Sequence, residues 1–331
     1  ADTMVQCALF GSGNKFEASG KANFSKNLWP VDLSQDRPRQ TVEVRATSPG
    51  GTTKTKLPIR TLYPVAVYNL HPSAAGDSLR DGEGLTVGDD GTFALLADDD
   101  TPAIWRLDFR TAALTKVFAP VKGGSIKGPE GLTRGTAPGE YLMSDDDGAQ
   151  ILTLSFGADG KLEEKKREST KDIFGYPEGI EMVGESLAFV GNSQLLLVDA
   201  ATRQPRPGFP VKYDLKPFGS HTGGVGYDGV RLWLTAAGYT KASQQNDRSL
   251  LLNADATSGA IREAYSLGEY ASDPRSVSIH DGLVYVIDGY ATPTLPGGTE
   301  PNRLGVKVFV FSLTPIGDPM AMITHFPLRR K

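Results

Sequence analysis

One pattern recurs five times along this chain of 331 residues, and it constrains the fold more than any other feature of the sequence. The pattern begins with an acidic residue, a glycine and an aliphatic residue. Its three clear copies start at Glu83, Glu130 and Glu178, which places them 47 and 48 residues apart. Two degenerate copies start at Gly223 and Arg275, 45 and 52 residues further on. Self-similarity at such a period is typical of repeat architectures, so we expect the copies to be equivalent structural units.

Each copy contains several short strands. In the first copy, apolar segments lie at Leu85–Val87, Thr92–Ala97, Ala103–Phe109 and Leu114–Ala119, with turns rich in glycine and aspartate between them. Short runs of branched and aromatic residues bounded by Gly, Asp, Asn and Pro are typical of β-strands. No long segment has the period of about 3.6 residues that marks an amphipathic helix. Four antiparallel strands per repeat make the blade of a β-propeller.

The sequence therefore predicts an all-β fold, a six-bladed β-propeller of four-stranded antiparallel blades that forms one domain over residues 1–331. Five blades begin near residues 83, 130, 178, 223 and 275. The sixth is expected from residues 1–80, where Val42–Ala46 and Tyr63–Leu70 are the clearest strands, and from a closing C-terminal strand at Ala321–Phe326. A count of seven blades would leave too few residues for the last two.

Composition and charge argue against several classes of function. The formal net charge is −4, without the basic patch that a nucleic-acid partner requires. The single cysteine, Cys7, allows no internal disulfide. No apolar run approaches the roughly 18 residues of a membrane span. The chain begins at Ala1, as after cleavage of a secretory signal or trimming of a longer chain, and we expect a periplasmic or secreted protein.

The repeated acidic residues point to a site at one end of the propeller channel. Each motif glutamate starts an inner strand, and the loop between the second and third strands returns to the same face. Glu83, Glu130 and Glu178 should therefore converge at the channel mouth, with Asp98, Asp145 and Asn192 just outside them. Converging carboxylates repel one another unless a cation neutralises them, and oxygen ligands favour Ca²⁺. The alternatives are a structural role in turns and strand starts, or recognition of a ligand without metal.

The two degenerate copies make this ring of acidic residues lopsided. Arg275 replaces the glutamate in the fifth copy, where it either pairs with a neighbouring glutamate or holds an anionic group of a substrate. His221 precedes the fourth copy by two residues, and it is either structural or a general base beside a metal-bound water. Long loops in the last two copies carry Tyr239 and Tyr290, which would line a binding rim or lie in tolerated insertions.

The segments DGEGLTVGDDGTFALLADDDTPAIWRLD and GPEGLTRG…YLMSDDDGAQILTLS resemble the superfamily of six-bladed, calcium-associated propellers. This superfamily includes the regucalcin/gluconolactonase-like, phytase-like esterase and SdiA-regulated (YjiK-like) families, and the resemblance covers about residues 80–313. Members of the first group hold a metal at the channel mouth and hydrolyse lactones or esters. The resemblance implies Glu83 or Glu130 as the ligand from the Glu-Gly motif, Asn192 as an asparagine ligand and Asp288 as a late aspartate ligand.

Two functions follow as hypotheses. The first is an exported, metal-dependent hydrolase of an ester, lactone or phosphoester, in which Ca²⁺ polarises the substrate and Glu130 or His221 activates water. The second is a non-catalytic propeller that binds a small molecule, a glycan, a peptide or a partner protein on the same face. The substrate itself cannot be named, because loop shape sets the specificity of a propeller.

Overall fold

The computed structural model describes residues 40–62, 64–70, 79–120, 126–216, 222–239, 246–267, 271, 273–289 and 306–313. These residues contain three N-terminal strands ahead of the first repeat. They are β1 (Gln40–Ser48), β2 (Gly51–Thr61) and β3 (Pro64–Leu70). None of the three forms a blade of its own, because each pairs with strands of the later blades or with its hairpin partner.

The first two repeats form two separate four-stranded antiparallel sheets. The first sheet consists, from the inside outward, of β4 (Gly82–Val87), β5 (Phe93–Asp98), β6 (Ala103–Asp108) and β7 (Leu114–Phe118). The second consists in the same order of β8 (Pro129–Arg134), β9 (Glu140–Asp145), β10 (Gln150–Phe156) and β11 (Leu162–Ser169). Neighbouring strands are joined by short turns, as expected for antiparallel pairs.

The next two repeats form blades of the same plan. The third blade consists of β12 (Gly179–Val183), β13 (Ser186–Gly191), β14 (Gln194–Asp199) and β15 (Val211–Lys216). The fourth consists of β16 (Val225–Tyr227), β17 (Arg231–Tyr239), β18 (Asn246–Asp255) and β19 (Ile261–Ser266). The four-stranded antiparallel blade predicted from the sequence is thereby confirmed.

The fifth blade is completed by a strand from the other end of the chain. It contains β20 (Pro274–His280), β21 (Leu283–Asp288) and β22 (Val306–Ser312), and β3 pairs with β22 as its outer strand. The pairing is antiparallel and runs from Val306 opposite Leu70 to Phe311 opposite Pro64. Because β3 precedes the first blade along the chain and pairs with β22 of the fifth, it connects these two blades. Separation of the first and fifth blades would therefore break the pairing of β3 with β22.

The hairpin β1–β2 lies between the outer edges of the third and fourth blades. β1 pairs antiparallel with β15, and the end of β2 pairs parallel with β19, which joins both blades in one ten-stranded sheet. The buried side chains of Val44 and Leu57 belong to the core of these blades. The hairpin therefore covers two blade edges that would otherwise expose unpaired backbone groups.

The described residues form five blades. Their inner strands contact one another in the cyclic order β4, β8, β12, β16, β20 and back to β4. The sequence predicted six blades and assigned Tyr63–Leu70 to the sixth. In the structure, Pro64–Leu70 is instead the outer strand of the fifth blade, because it forms an antiparallel pair with β22. The predicted closing strand at Ala321–Phe326 lies outside the described residues.

The core lies between the faces of adjacent blades. Buried residues of the fifth and first blades form one cluster that includes Leu85, Leu107 and Val308, and similar clusters fill the other interfaces. Repeated turns hold the third and fourth strands together. Asp108 and Asp255, which end β6 and β18, each accept hydrogen bonds from the backbone N–H groups two and three residues further on.

Candidate functional site at the channel mouth

The motif residues occupy equivalent positions around the ring, as the repeat predicted. Glu83 lies in β4, Glu130 in β8 and Arg275 in β20, while Glu178 immediately precedes β12. Glu83 and Glu130 interact electrostatically with each other and with Arg275. Charged side chains from several blades therefore meet at one end of the ring of inner strands.

The glycine of the motif allows the inner strands to approach closely. A Cβ atom placed on Gly84 would lie 1.9 Å from the backbone oxygen of Glu130, and one on Gly224 would lie 2.4 Å from the backbone oxygen of Arg275. No other residue has room at such distances. The motif thus combines a packing requirement at its second position with a charged group at its first.

Two buried hydroxyl groups connect neighbouring blades at the same level. Ser144 Oγ accepts a hydrogen bond from Gly131 N at 2.7 Å and donates one to the backbone oxygen of Glu178 at 3.2 Å. In the same way, Thr235 Oγ1 accepts from Gly224 N at 2.8 Å and donates to the backbone oxygen of Arg275 at 3.1 Å. These bonds fix the backbone of two motif residues at the mouth.

Arg275 forms ion pairs with two carboxylates. Its Nη1 lies 3.2 Å from Glu83 Oε1, and its Nη2 lies 2.9 Å from Asp273 Oδ2. Glu83 is only 7% exposed, so this pair is largely shielded from water. Of the two roles that the sequence allowed for Arg275, pairing with a neighbouring glutamate is the one found in the structure.

The carboxylates at the mouth raise one another's pKa. Burial, together with the charges of Asp81, Asp273 and Asp99, raises the pKa of Glu83 to about 8 although Arg275 lowers it. Burial and the charge of Glu83 raise the pKa of Glu130 well above its ordinary value. Both effects follow from the cost of ionising a carboxyl group away from water and beside like charges.

Two further aspartates belong to this group. Burial and neighbouring carboxylates raise the pKa of Asp99 and that of Asp146 to about 6 each. Both carboxylates crowd Gly128, where an added Cβ would lie 2.5 Å from Asp146 Oδ1 and 3.1 Å from Asp99 Oδ1. The acidic mouth consists of Asp81, Glu83, Asp99, Glu130 and Asp146.

Asp98 and Asp145, which the sequence nominated as metal ligands, are fully buried in their own blades. Asp98 accepts hydrogen bonds from the backbone N–H groups of Arg80 and Asp81 and from the indole of Trp105. Asp145 accepts from the backbone N–H groups of Lys127 and Gly128. Their oxygen atoms hold the segment that leads into the inner strand, because a buried carboxylate needs such donors.

The remaining nominated ligands are distributed differently. Asp288 is fully buried and accepts a hydrogen bond from Asp273 N at 2.7 Å, which is the same arrangement as in Asp98 and Asp145. Asn192 is exposed, and its backbone N–H donates to Glu178 Oε1 at 3.3 Å. The structure thus brings Glu83 and Glu130 together and places Asp98, Asp145 and Asp288 in supporting positions.

The donor atoms at the mouth are of the kind that calcium prefers, but they do not surround a common point. Asp81 Oδ1 is buried and, among the residues that the structure describes, has no hydrogen-bond partner. Within the described residues, however, no three His, Cys, Asp or Glu side chains are grouped so that they could hold a metal ion. The arrangement therefore does not fit a ready-made calcium site, and calcium binding stays a prediction.

Some nominated residues lie outside what the structure describes. His221 and Tyr290 fall outside the described residues, and of Tyr239 only the backbone is described, at the end of β17 opposite Asn246. Conversely, sequence reasoning missed Asp81 and Asp273. Both stand two residues before a motif position, which is the signal that could have revealed them.

Fold and site together define a β-propeller with an acidic channel mouth. No family model and no curated protein sequence matches the chain. In the residues that the structure describes, no helix is long and apolar enough to cross a membrane.

Three solved structures have a similar backbone. Hydrazine synthase of Kuenenia stuttgartiensis is 14% identical over 74% of this chain and 66% of that chain, with a TM-score of 0.41. The nidogen/laminin complex is 15% identical over 75% of this chain and 85% of that chain, with a TM-score of 0.42. The PQQ-bound aldose sugar dehydrogenase of Streptomyces coelicolor is 14% identical over 74% of this chain and 97% of that chain, with a TM-score of 0.46. The chain thus spans just under two thirds of the hydrazine synthase chain. At these scores the similarity identifies neither an activity nor a ligand.

Proposed function

We propose that this protein is a ligand-binding propeller whose acidic mouth takes up a positively charged group. The observation that carries the proposal is the crowding of the buried Glu83 and the partly buried Glu130 beside Asp99 and Asp146. Arg275 is their cationic neighbour. Such a set holds more potential negative charge than one guanidinium neutralises. At neutral pH the excess charge must be removed by protons or by a bound cation.

A cation that enters the mouth replaces bound protons. Burial and neighbouring carboxylates raise the pKa of Glu83 to about 8, so this carboxyl group holds a proton over much of the neutral range, and they raise the pKa of Glu130 well above its ordinary value. A cationic ligand favours their ionised forms, so its uptake releases protons and becomes stronger as pH rises. Proton release is a signature that nonspecific surface binding to exposed carboxylates, which are already ionised, does not produce.

The experiment is calorimetric titration of the purified protein with calcium chloride and, separately, with butylammonium chloride. Each titration is repeated in two buffers of different ionisation enthalpy, which measures the protons released. We expect binding in at least one titration, release of protons, and a loss of about tenfold or more in affinity for Glu130→Gln. The exposed residue Glu185 supplies the matched control, Glu185→Gln.

The two arms separate an inorganic cation from an organic ammonium group. If neither salt binds to the unaltered protein, the proposal is wrong. Equal weakening by Glu130→Gln and Glu185→Gln would also contradict it, because the effect would then come from total charge and not from the mouth.

Hydrolysis of an ester, lactone or phosphoester is the second candidate, and one observation favours it. Burial and the charge of Glu83 raise the pKa of Glu130 well above its ordinary value, so this carboxyl group keeps its proton more readily than an ordinary glutamate and is a candidate proton donor to a leaving group. Assays with nitrophenyl acetate, a simple lactone and nitrophenyl phosphate, with and without calcium, test it. Turnover that survives Glu130→Gln unchanged would exclude this role.

A further inference from the structure

We propose that the binding site continues from the mouth into the axial channel, where Glu181 binds a second positive group of the same ligand. The ligand class is then a linear diamine or polyamine whose terminal amino groups are well separated. This inference rests on the proposed function, since the first amino group would occupy the acidic mouth. It assigns a role to a channel carboxylate that the mouth itself does not use.

Glu181 lies deeper along the channel than the motif glutamates. It belongs to the inner strand β12 and follows Glu178 by three residues. With a rise of about 3.3 Å per residue, its level is roughly 10 Å from that of the mouth. One small cation therefore cannot contact both levels, whereas an extended chain with two charged ends can.

The same position in the other blades shows that packing does not require a carboxylate. Three residues after the start of each motif stand Thr86, Thr133, Glu181, Gly226 and Ser278. Ser278 Oγ accepts a hydrogen bond from Val87 N of the next blade, and Thr133 Oγ1 accepts one from Met182 N. Short hydroxyl groups thus join neighbouring inner strands at this level, and Glu181 is the ionisable exception among these five positions.

The surroundings of Glu181 orient its carboxyl group without pairing it with a cation. Thr133 Oγ1 donates to Glu181 Oε1 at 2.9 Å, and the backbone N–H of Met182 also donates to this carboxyl group. The side chain is neither fully buried nor fully exposed, so it contacts solvent from its place on the inner strand. Within the described residues Glu181 forms no ion pair at the usual distance, and a bound ammonium group would supply the missing partner.

The electrostatic environment agrees with this geometry. Burial raises the pKa of Glu181 to about 8, although the hydrogen bond from Thr133 and the charge of Arg134 lower it. A partly buried carboxyl group gains more from a cationic partner than a fully exposed carboxylate does, because fewer water molecules compete for it. The second amino group should therefore add measurable affinity.

The experiment compares three amines by calorimetric titration of the full chain. Butylamine carries one charge, ethylenediamine carries two charges close together, and spermidine carries charges at widely separated ends. We expect spermidine to bind at least about tenfold more tightly than butylamine, and ethylenediamine to fall well short of spermidine. In Glu181→Gln, which keeps the shape and the acceptor for Thr133, the ratio of the spermidine to the butylamine affinity should fall towards one.

The outcomes separate this inference from the proposed function. If spermidine and butylamine bind equally, the channel site is wrong and the mouth site stands. If ethylenediamine matches spermidine, both charges bind at the mouth and the channel site is again wrong. If no amine binds, the organic-cation form of the proposed function fails as well.

Two further variants guard against indirect effects. Glu181→Asp retains the charge but shortens the side chain, and we expect it to retain an affinity ratio between those of the unaltered protein and Glu181→Gln. Glu185→Gln on the exposed turn after β12 should leave the ratio unchanged. A ratio that falls equally in Glu185→Gln would overturn the proposal, because it would reflect the net charge alone.

Discussion

Arg275 of the fifth blade forms an ion pair with Glu83 of the first blade, with 3.2 Å between Nη1 and Oε1. The pair crosses the interface at which the end of the repeated region meets its beginning. The clear copies of the repeat carry a glutamate at the position of Arg275. The break in the repeat therefore coincides with the closure of the ring and provides the cation that partly neutralises the mouth.

Removal of this arginine tests how much the ion pair contributes. In Arg275→Met we expect the free energy of unfolding to fall by about 2–4 kcal/mol near pH 9, because Glu83 and Asp273 lose their cationic partner in a shielded site. The loss should be smaller near pH 6, where Glu83 is neutralised by a proton. Urea denaturation at the two pH values measures both quantities.

A matched control exists on the surface. Arg262 and Asp255 also form an ion pair, at 3.3 Å, but Arg262 is 60% exposed. We expect Arg262→Met to cost no more than about 1 kcal/mol at either pH, since exposed pairs contribute little. Equal losses in Arg262→Met and Arg275→Met would show that the shielding of the Glu83 pair has no energetic consequence.

The buried aspartates are expected to stabilise the blades. In Asp98→Asn one carboxylate oxygen is replaced by an amide N–H₂ group, which cannot accept from the backbone N–H groups or from Trp105. We expect a loss of about 1–3 kcal/mol in the free energy of unfolding, independent of added calcium or chelator. Thermal unfolding monitored by tryptophan fluorescence measures it, with the exposed Asp172→Asn as the control.

A different result would revive the metal hypothesis for this residue. If unaltered protein is stabilised by calcium and Asp98→Asn is not, then Asp98 acts as a ligand in solution. The present hydrogen bonds argue for the structural role, because both oxygen atoms of Asp98 already accept donors from the protein.

Much of the fold could be predicted because each blade begins with a short sequence motif that recurs along the chain. The motif at Glu83, Glu130 and Glu178 marks the start of each inner strand, and the spacing gives the blade. The role of Pro64–Leu70 could not be predicted, because its pairing with Val306–Ser312 joins segments more than two hundred residues apart. A strand pattern shows that a segment is a strand but does not identify its partner.

The site was predictable to the level of the face but not of the individual side chain. Asp98 and Asp99 are adjacent in sequence, yet Asp98 is buried among backbone donors and Asp99 belongs to the acidic mouth. Successive side chains take different directions, so two adjacent aspartates can differ in role: Asp98 supports the backbone of its blade, and Asp99 lies in the acidic mouth. Glu181 was missed because it stands in an ordinary apolar strand pattern without a motif of its own.

The motif glycine should be among the residues least tolerant of substitution. In Gly84→Ala the added methyl group would lie 1.9 Å from the backbone oxygen of Glu130, and backbone cannot move aside as a flexible side chain can. We expect a loss of about 3 kcal/mol or more, or failure to fold. Gly50→Ala is the control, since its nearest atom would be Ser48 Oγ at 3.7 Å. Comparable melting temperatures for the two variants would contradict the close approach of the first two blades.

The pH dependence of stability should reveal the buried carboxyl groups. The pKa values of Glu83 and Glu181 are raised to about 8 in the folded protein, so between about pH 5 and 8 the folded state holds more protons than the unfolded state. The free energy of unfolding should therefore fall as pH rises through this window. Glu181→Gln removes one such group and should reduce the slope by roughly 1 kcal/mol per pH unit, whereas Glu185→Gln should not change it. Urea denaturation at half-unit pH steps measures the slope, and an unchanged slope in Glu181→Gln would mean that Glu181 is ionised at neutral pH and well solvated in the channel.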